Sequence, residues 1–344
     1  MRLMALFLAV VLPLLVPQPG TARDSTAKKG DKPRKEHEFH LFIEPEAYYL
    51  YGEEDEYVFL DDTKNSEGTL SKLEWQERDV KLYGGKIGGS FDSFGLEFQI
   101  HSAIRGDSGE MYDSDWVNLD DVKTHYSVNN NELDSFFRLG VMAYFDFHPF
   151  SSFRGFSLAP TAEFAYKNIL FSSTNIEGWY GVQGKDGIYS SWDSPSAIHY
   201  PNKKSILLGV DYEKIVFYTF IGGQAKLDLV NGRLHLTVGG AVSPYSYAKT
   251  EDKHFANNDR TNYEYYRDFI NIVFKTFKGN FSTFFDINDI ISLGLNGTGQ
   301  IGRTSQGIMT KLNPEKGWRR YEGNWGGVSE YGFQIGAGIR INIF

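Results

Sequence analysis

The sequence lacks cysteine, long internal apolar segments and an excess of positive charge. With no cysteine among its 344 residues, the chain can form neither disulfides nor thiolate metal sites. Beyond the N-terminal segment, no run approaches the roughly 18 apolar residues that indicate a membrane-spanning helix, so only a closed β-barrel could place this chain in a membrane. The formal charge of −9 argues against nucleic acid and towards cationic partners.

The N-terminal segment has the order of features typical of a signal peptide. Arg2 supplies the charge, residues 3–16 form the apolar run, and the small residues of 20–22 precede the expected cleavage, so 1–22 is predicted to be a signal peptide. The alternative is a membrane anchor, but the run is shorter than the roughly 20 residues of a spanning helix. Residues 23–37 are rich in Lys, Asp and Pro, which predicts a disordered leader.

Aromatic residues and glycine are abundant, with 27 Phe, 21 Tyr and 36 Gly, which suits alternating strands better than a helical core. Such alternation fits either a soluble β-sandwich or a transmembrane barrel. The signal peptide, the aromatic content and a regular final strand that reaches Phe344 favour the barrel. On that final strand, every second residue is apolar or aromatic: Tyr331, Phe333, Ile335, Ala337, Ile339, Ile341 and Ile343.

Ten such segments predict an all-β fold, a ten-stranded antiparallel transmembrane β-barrel that forms one domain over 38–344 and extends above the outer membrane. The predicted strands are 38–60, 70–91, 95–106, 131–149, 155–172, 203–230, 232–250, 260–278, 281–304 and 327–344. Turn-forming residues predict tight links at 92–95, 230–232 and 278–280. Long polar connections are expected at 61–69, 107–130, 173–202, 251–259 and 305–326.

Two short motifs carry the candidate chemistry. Asp113 and Asp115 are two residues apart, as are Asp252 and His254, so each pair lies on one face of a strand. If the pairs meet, a histidine oriented by a carboxylate faces two further carboxylates, an arrangement that can activate water without a metal or another cofactor. Taken alone, the first pair is more typical of a solvated loop. The spacing of an EF-hand is missing, and His254 has no second histidine at zinc-ligand spacing.

Four motifs resemble those of one known family. The segment Met111-Tyr-Asp-Ser-Asp-Trp116 is similar to the Asp-x-Asp-Trp motif of the omptins, outer-membrane endopeptidases with a ten-stranded barrel. Asp252-Lys-His254 is similar to their Asp-x-His motif. Glu56-Tyr-Val-Phe-Leu60 and Leu70-Ser-Lys-Leu-Glu-Trp75 resemble the family's first and second strands. The resemblance runs in order from about residue 38 to the end of the chain.

The resemblance implies a role for each of these residues. Asp113 and His254 would bind and activate the nucleophilic water. Asp252 would support His254, and Asp115 would complete the acidic pair. Glu56 would lie at the base of the pocket for the basic side chain that precedes the cut.

Other positions match the family less well. Asp121 and His125 would correspond to an acidic residue and a histidine at the rim of the cleft. At the substrate-binding position 250 the family has a second pocket carboxylate and this chain has Thr250, so strict cleavage between two basic residues is not implied. The residues that would bind lipopolysaccharide on the fifth strand also differ, and a lipopolysaccharide requirement is not implied: Phe164, Tyr166 and Asn168.

The sequence therefore predicts an omptin-type aspartic endopeptidase of the outer membrane, with its active site facing outside. It would act as a monomer on cationic proteins or peptides next to Lys or Arg, surrounded by outer-membrane lipid, with no cofactor and no nucleic acid. The alternative is a non-catalytic barrel that serves as an adhesin or a pore. Acidic residues around the mouth would attract the substrate: Glu53, Glu54, Asp55, Glu56, Asp120 and Asp121.

The alternation also makes a prediction about backbone geometry. On the seventh predicted strand the lipid-facing residues Leu234 to Val242 are even-numbered, and so are Asp252 and His254, which must face inward. One extra residue between them would reverse the phase. We therefore expect a β-bulge near Pro244, which cannot donate a backbone hydrogen bond.

Overall fold

The computed structural model describes residues 39–60, 68–118, 121–150, 155–200, 208–256 and 259–343. The expected signal peptide and leader, Asp120 and Phe344 lie outside these residues. The strands are β1 (Phe39–Leu60), β2 (Thr69–Phe91), β3 (Phe94–Ala103), β4 (Gly106–Asp115), β5 (His125–Phe145), β6 (Phe156–Tyr180), β7 (Ile198–Tyr200), β8 (Leu208–Leu229), β9 (Leu234–Ala256), β10 (Asp259–Ile272), β11 (Thr276–Asp286), β12 (Ile291–Asn313) and β13 (Gly317–Asn342). In the described ranges, no helix is long and apolar enough to cross a membrane.

The strands close into a ring of antiparallel neighbours. β3 and β4 are two parts of one barrel strand, which lies between β2 and β5. In the same way, β10 and β11 are two parts of the barrel strand between β9 and β12. β7 is a short addition to β6, and β1 pairs with β13 to close the ring. Ten barrel strands result, so the predicted fold class is confirmed. Closure pairs the backbone of every wall strand, as lipid requires.

The lower half of the barrel carries an apolar belt on its outer face. On β13 the predicted face is turned outward, with exposed fractions near one half for Tyr331, Phe333 and Ile335. An exposed apolar surface that surrounds the whole molecule belongs in lipid. Other members of the belt include Ile43, Ile87, Ile100, Leu139, Ile221, Val238, Phe281 and Leu295.

The lumen inside this belt is polar and charged. Arg340 donates two hydrogen bonds to Glu44, at 3.0 and 2.8 Å, and His101 lies 2.9 Å from Glu46. A cavity of about 250 Å³ lies among these groups, well below the acidic motifs. The lower lumen is thus held by ion pairs between neighbouring strands (β13 and β1) and across one intervening strand (β3 and β1), and the clusters of buried apolar residues lie at the levels above.

Several strands carry an extra residue where the belt ends. Between paired positions, β2 has two residues, 78–79, against one on β1, and Asp79 adopts a left-handed φ of 55°. β12 has the same irregularity at 303–304 against β13. On β9 the extra residue falls at Ser243–Pro244 against β8, which confirms the predicted bulge. Val238 below it is exposed and Asp252 above it is buried, although both are even-numbered.

Some predicted connections are wrong. Residues 278–280 do not form a turn: they lie inside β11 and pair with β9 and β12, so tertiary pairing overrides the local turn preference of Gly-Asn. The turn falls at 287–290, where the Asn288 side chain accepts from the backbone of Ile290 and Ile291. The expected turns at 92–95 and 230–232 are present.

Several expected long loops are mostly strand. β4 and β5 fill much of 107–130, β6 continues to Tyr180, β9 continues to Ala256, and β12 and β13 leave only 314–316 of 305–326 as a turn. These strands rise above the apolar belt, where neither face meets lipid. Their sequences are polar on both sides for that reason, and such sequences resemble loops.

A charge on the belt should destabilise the barrel. Ile335 faces outward near the middle of β13, and an arginine there would enter lipid. We expect Ile335→Arg to lower the free energy of unfolding in lipid vesicles by roughly 2 to 4 kcal/mol, against a small change for Ile335→Leu. Urea titration of the folded fraction measures both. Equal stability of the two variants would contradict a lipid-facing β13.

Candidate active site

The two acidic motifs face each other across the upper mouth of the barrel. Asp113 and Asp115 lie on β4, and Asp252 and His254 lie on β9, which is separated from β4 by β5, β6 and β8. Met111, two residues before Asp113 on β4, is 1% exposed in the interior apolar core, so the face that also carries Asp113 and Asp115 points inward. The charge of His254 acts on Asp113 across the mouth. The four residues that the sequence singled out therefore converge, from strands that are not neighbours.

Asp252 and His254 form a hydrogen-bonded pair. Oδ2 of Asp252 lies 2.5 Å from Nε2 of His254. The Asp252 side chain is only 4% exposed, whereas the imidazole is 37% exposed, so the ring faces the open cleft and the carboxylate lies behind it. Burial lowers the pKa of His254, but the hydrogen bond to Asp252 and the charges of Asp252 and Asp113 outweigh burial and raise it. The ring of Tyr266 meets the imidazole edge-on at 5.7 Å.

Asp113 titrates far from its ordinary range. Burial, followed by the charge of Asp115, raises the pKa of Asp113 from 3.8 to about 7. Burial also raises the pKa of Asp115. The hydroxyl of Ser71, directly opposite Asp115 on β2, can donate to either carboxylate and partly offsets both shifts. Near neutral pH, this acidic pair can therefore gain or lose a proton.

Glu56 lies deeper, on β1, and is 2% exposed. Burial raises its pKa well above the ordinary value, and the charges of Asp252, Asp268 and Asp113 raise it further. The predicted pocket residue therefore shares one volume with the catalytic candidates. Thr250 is fully buried, on the same face of β9 as Asp252.

Asp268 was not recognised from the sequence. It lies directly opposite Thr250 in the ladder between β9 and β10, and the Thr250 hydroxyl donates to its Oδ2 at 3.2 Å. Asp268 is 1% exposed, and burial together with the charge of Asp252 raises its pKa. One signal was available: Asp268 shares a strand face with Ile270 and Ile272, where a charged residue is unexpected.

Aromatic rings that the sequence did not single out form one wall of the site. Tyr212 on β8 lies opposite Asp252, and its ring stacks on Trp75 at 5.3 Å. Trp75 stacks in turn on Phe171 at 5.6 Å. All three side chains are fully buried. This layer displaces water from the carboxylates and explains why burial is the largest cause of their pKa shifts.

The two residues expected at the rim differ in position. His125 pairs with Asp115 in the β4–β5 ladder, lies between the rings of Tyr180 and Tyr189, and bonds the Thr124 hydroxyl at 3.0 Å. Asp121 is exposed to solvent in the connection between β4 and β5. His125 thus borders the acidic pair, whereas Asp121 lies on the surface.

The acidic residues expected at the mouth do not form one patch, because consecutive residues of β1 point to opposite faces of the wall. Glu53 and Asp55 face the outside of the barrel, where Tyr331 donates to Glu53 and Ser329 to Asp55. Glu54 and Glu56 face inward. The prediction of one attracting surface is therefore wrong for Glu53 and Asp55, since consecutive strand residues point to opposite faces.

Among the residues described, one group of carboxylates has metal-ligand spacing, and it lies on the outer face: Glu53, Asp55 and Glu74. The ammonium of Lys72 is already 2.7 Å from Glu74 and 3.2 Å from Asp55. A cation of the protein itself therefore balances that cluster.

Comparison with known proteins gives one informative similarity. No protein-family model matches the chain, and no curated protein sequence matches it. The outer membrane protease OmpT from Escherichia coli aligns with a TM-score of 0.72 over 88% of this chain and 97% of its own, at 14% sequence identity. The chain has an omptin-like fold.

Two other aligned barrels carry no argument about this chain. The toluene transporter TodX from P. putida aligns at a TM-score of 0.23 and 7% identity, over 88% of this chain and 90% of its own. The translocator domain of NalP from Neisseria meningitidis aligns at 0.24 and 8%, over 97% and 94%. At 14% identity the similarity to OmpT shows the fold alone.

The shifted pKa of Asp113 predicts a pH-dependent effect on stability. Below about pH 4 the carboxyl is protonated in the folded and unfolded chains, and Asp113→Asn should change little. As the pH rises from about 4 to about 7 the unfolded chain loses this proton first, which destabilises the wild-type fold. We therefore expect the variant's gain in unfolding free energy to grow over this window.

Urea unfolding at a series of pH values measures the gain. Asp289→Asn, in an exposed turn, serves as the matched control and should leave the pH dependence unchanged. A gain for Asp113→Asn that is as large at about pH 4 as at about pH 7 would contradict the buried, raised-pKa state of Asp113.

Proposed function

We propose that the protein is an endopeptidase of the outer membrane that hydrolyses cationic polypeptides next to Lys or Arg, using water activated by Asp113 and His254. The observation that carries this proposal is the hydrogen-bonded Asp252–His254 pair facing the Asp113–Asp115 pair across the mouth. A second support is the fold shared with OmpT, whose name describes an outer membrane protease.

The groups present suffice for hydrolysis of a peptide bond. A water held between Asp113 and His254 attacks the carbonyl carbon of the substrate while its proton passes to the imidazole, and the same proton then reaches the departing amine. The raised pKa of His254 makes its neutral ring a stronger base. Asp252 fixes the orientation of the ring and stabilises its charged form. Besides burial, the charge of Asp115 raises the pKa of Asp113 and so favours its protonated form.

The interior below the site supports an enzyme more than a pore. Glu54 and Glu330 bind the ammonium groups of Lys167 and Lys214 across the lumen, with Lys214 at 2.5 Å from Glu54 and 3.2 Å from Glu330. The Tyr218 hydroxyl also donates to Glu330 at 2.7 Å. We call the four charged residues, Glu54, Glu330, Lys167 and Lys214, the charge lattice. These ion pairs bridge the lumen below Glu56, between the mouth and the lower lumen.

The proposed location and orientation follow from the two ends of the barrel. The apolar belt surrounds the end with the short turns at 92–93, 230–233 and 287–290, while the site lies on the strands that rise beyond the belt. We infer that the short turns face the periplasm and the site faces outside. The surplus of carboxylates at the site and the net charge of −9 favour cationic substrates.

We also propose that activity does not require lipopolysaccharide. On the outer face of β6, Phe164 is 47% exposed, and the Asn168 amide donates to Glu213 at 2.8 Å. Lys167 turns inward to the charge lattice. The residues that the structure describes on this face of β6 therefore offer no cation to a lipid phosphate. We expect unchanged cleavage rates when lipopolysaccharide is added to detergent-refolded protein, and strict dependence on the lipid would refute the proposal.

Substitution of the catalytic candidates tests the mechanism. We expect His254→Ala and Asp113→Ala to lower kcat for basic peptides by roughly 10²- to 10⁴-fold, because each removes a group that binds or deprotonates the water. His148→Ala, exposed at the opposite end of the barrel, is the matched histidine control and should retain full activity.

Folding of every variant is checked by its heat-dependent mobility on gels. Activity that survives both alanine substitutions would overturn the mechanism. If correctly folded wild-type protein cleaves none of a broad set of basic peptides, the adhesin alternative gains instead.

A further inference from the structure

We propose that Asp268, on the strand next to Thr250, supplies with Glu56 the paired carboxylates of a buried pocket that takes one arginine or lysine side chain of the substrate. This inference rests on the proposed function and assigns the specificity of the same site. The volume bounded by Glu56, Asp268 and Tyr212 is called the pocket.

The geometry places both carboxylates in one volume although they come from distant parts of the chain. Glu56 lies on β1 and Asp268 on β10, on opposite sides of β13 and β12 in the ring. The charge of Asp268 nevertheless acts on Glu56, and Asp252 of the catalytic pair acts on both. The Asp268 carboxylate lies against Gly326 of β13, and Gly326 pairs with Val58, two residues from Glu56 on β1, so the pocket lies beside the reacting groups.

The pocket has polar atoms that the rest of the described structure leaves without partners. Oε2 of Glu56, Oδ1 of Asp268 and the Tyr212 hydroxyl have no hydrogen-bond partner in the described ranges. The three residues are at most 2% exposed. A buried carboxylate oxygen without a partner is costly, and such groups are retained mainly where a ligand satisfies them. Two acceptors and a hydroxyl match the several donors of a guanidinium or an ammonium.

Lys214 and His254, the basic side chains near the pocket, are already bonded to other carboxylates. Lys214 is the cation that lowers the pKa of Glu56, but its ammonium is bonded to Glu54 and Glu330 in the charge lattice. His254 is bonded to Asp252. The pocket thus has a surplus of acceptors, and burial holds both of its carboxyls at raised pKa values. A cationic side chain would supply the missing positive charge.

The shape of the site favours an organic cation over a metal ion. In the described residues, the oxygens of Glu56, Asp268 and Asp252 do not form a group close enough to ligate one ion. A guanidinium or ammonium on a flexible stem can reach separated acceptors. Tyr212 ends the stack that it forms with Trp75 and Phe171, and the ring face turned away from Trp75 is the one along which such a stem can lie.

The opposite wall is shaped around Asp268. A Cβ atom added to Gly326 on β13 would stand 2.1 Å from Cγ of Asp268, so a side chain at 326 and the observed position of this carboxylate exclude each other. The Thr250 hydroxyl holds the other oxygen, Oδ2, at 3.2 Å. Asp268 is thereby fixed from β9 and from β13, with Oδ1 left for a ligand.

The test compares peptides that carry arginine, lysine or citrulline before the cut, because citrulline has nearly the shape of arginine without its charge. We expect Asp268→Asn and Glu56→Gln each to lower kcat/KM for the arginine peptide by roughly 10- to 100-fold and to leave the citrulline peptide nearly unchanged. Gly326→Ala, which displaces the Asp268 carboxylate, should act in the same direction. Asp289→Asn is the control for loss of a negative charge elsewhere.

A binding measurement separates failure of the pocket from failure of the proposed function. N-acetyl-argininamide should bind by calorimetry to wild type and to His254→Ala, and bind roughly 10-fold or more weakly after Asp268→Asn. An unchanged arginine-to-citrulline ratio in Asp268→Asn would overturn the pocket while the protease stands. If wild type cleaves no peptide, equal binding of the probe with and without the Asp268 charge would overturn the pocket too.

Discussion

A strand that crosses lipid and then rises into water must change what its two faces present, and in this barrel the backbone itself makes that change. Below the bulges, one set of alternate residues meets lipid; above them, that set turns inward. On β9 the extra residue at Ser243–Pro244 brings Asp252 and His254 into the mouth. Without it, the same sequence would point both groups away from the cleft, because a shift of one residue exchanges the faces of a strand.

The second constraint is charge. The mouth gathers the carboxyls of two motifs and of the proposed pocket, while Lys214, the lysine whose charge acts on Glu56, belongs to the charge lattice beneath. The stacked layer of Trp75 and Tyr212 excludes water from these carboxyls. The same exclusion that makes their ionisation costly also strengthens their attraction for an incoming cation. Burial of these carboxyls therefore destabilises the fold, and the same burial would strengthen the binding of a cationic substrate.

These two constraints explain what the sequence could and could not predict. Lipid forces strict alternation, so most strands inside the belt were predicted from the sequence, as was the bulge near Pro244. The exception is β11, where Gly279-Asn280 resembled a turn. Above the belt no face must be apolar, and the strands within 107–130 and 305–326 resembled loops. The motifs at 113–115 and 252–254 could be recognised in the sequence because the two functional residues of each are only two positions apart. Asp268 was not, because its place depends on a pairing with Thr250 set by the register of two strands.

The relation between Thr250 and Asp268 shows why a pocket's charge need not stay at one sequence position. Directly opposed residues of an antiparallel pair have Cβ atoms about 5 Å apart, so a carboxylate on either strand can reach nearly the same point. Moving it from position 250 to 268 requires space on the far side, which Gly326 leaves, and an anchor, which the Thr250 hydroxyl provides. A comparison with the omptin motif position by position shows only that Thr250 stands where the family has a carboxylate. Counted in space, the proposed pocket has two carboxylates, those of Glu56 and Asp268.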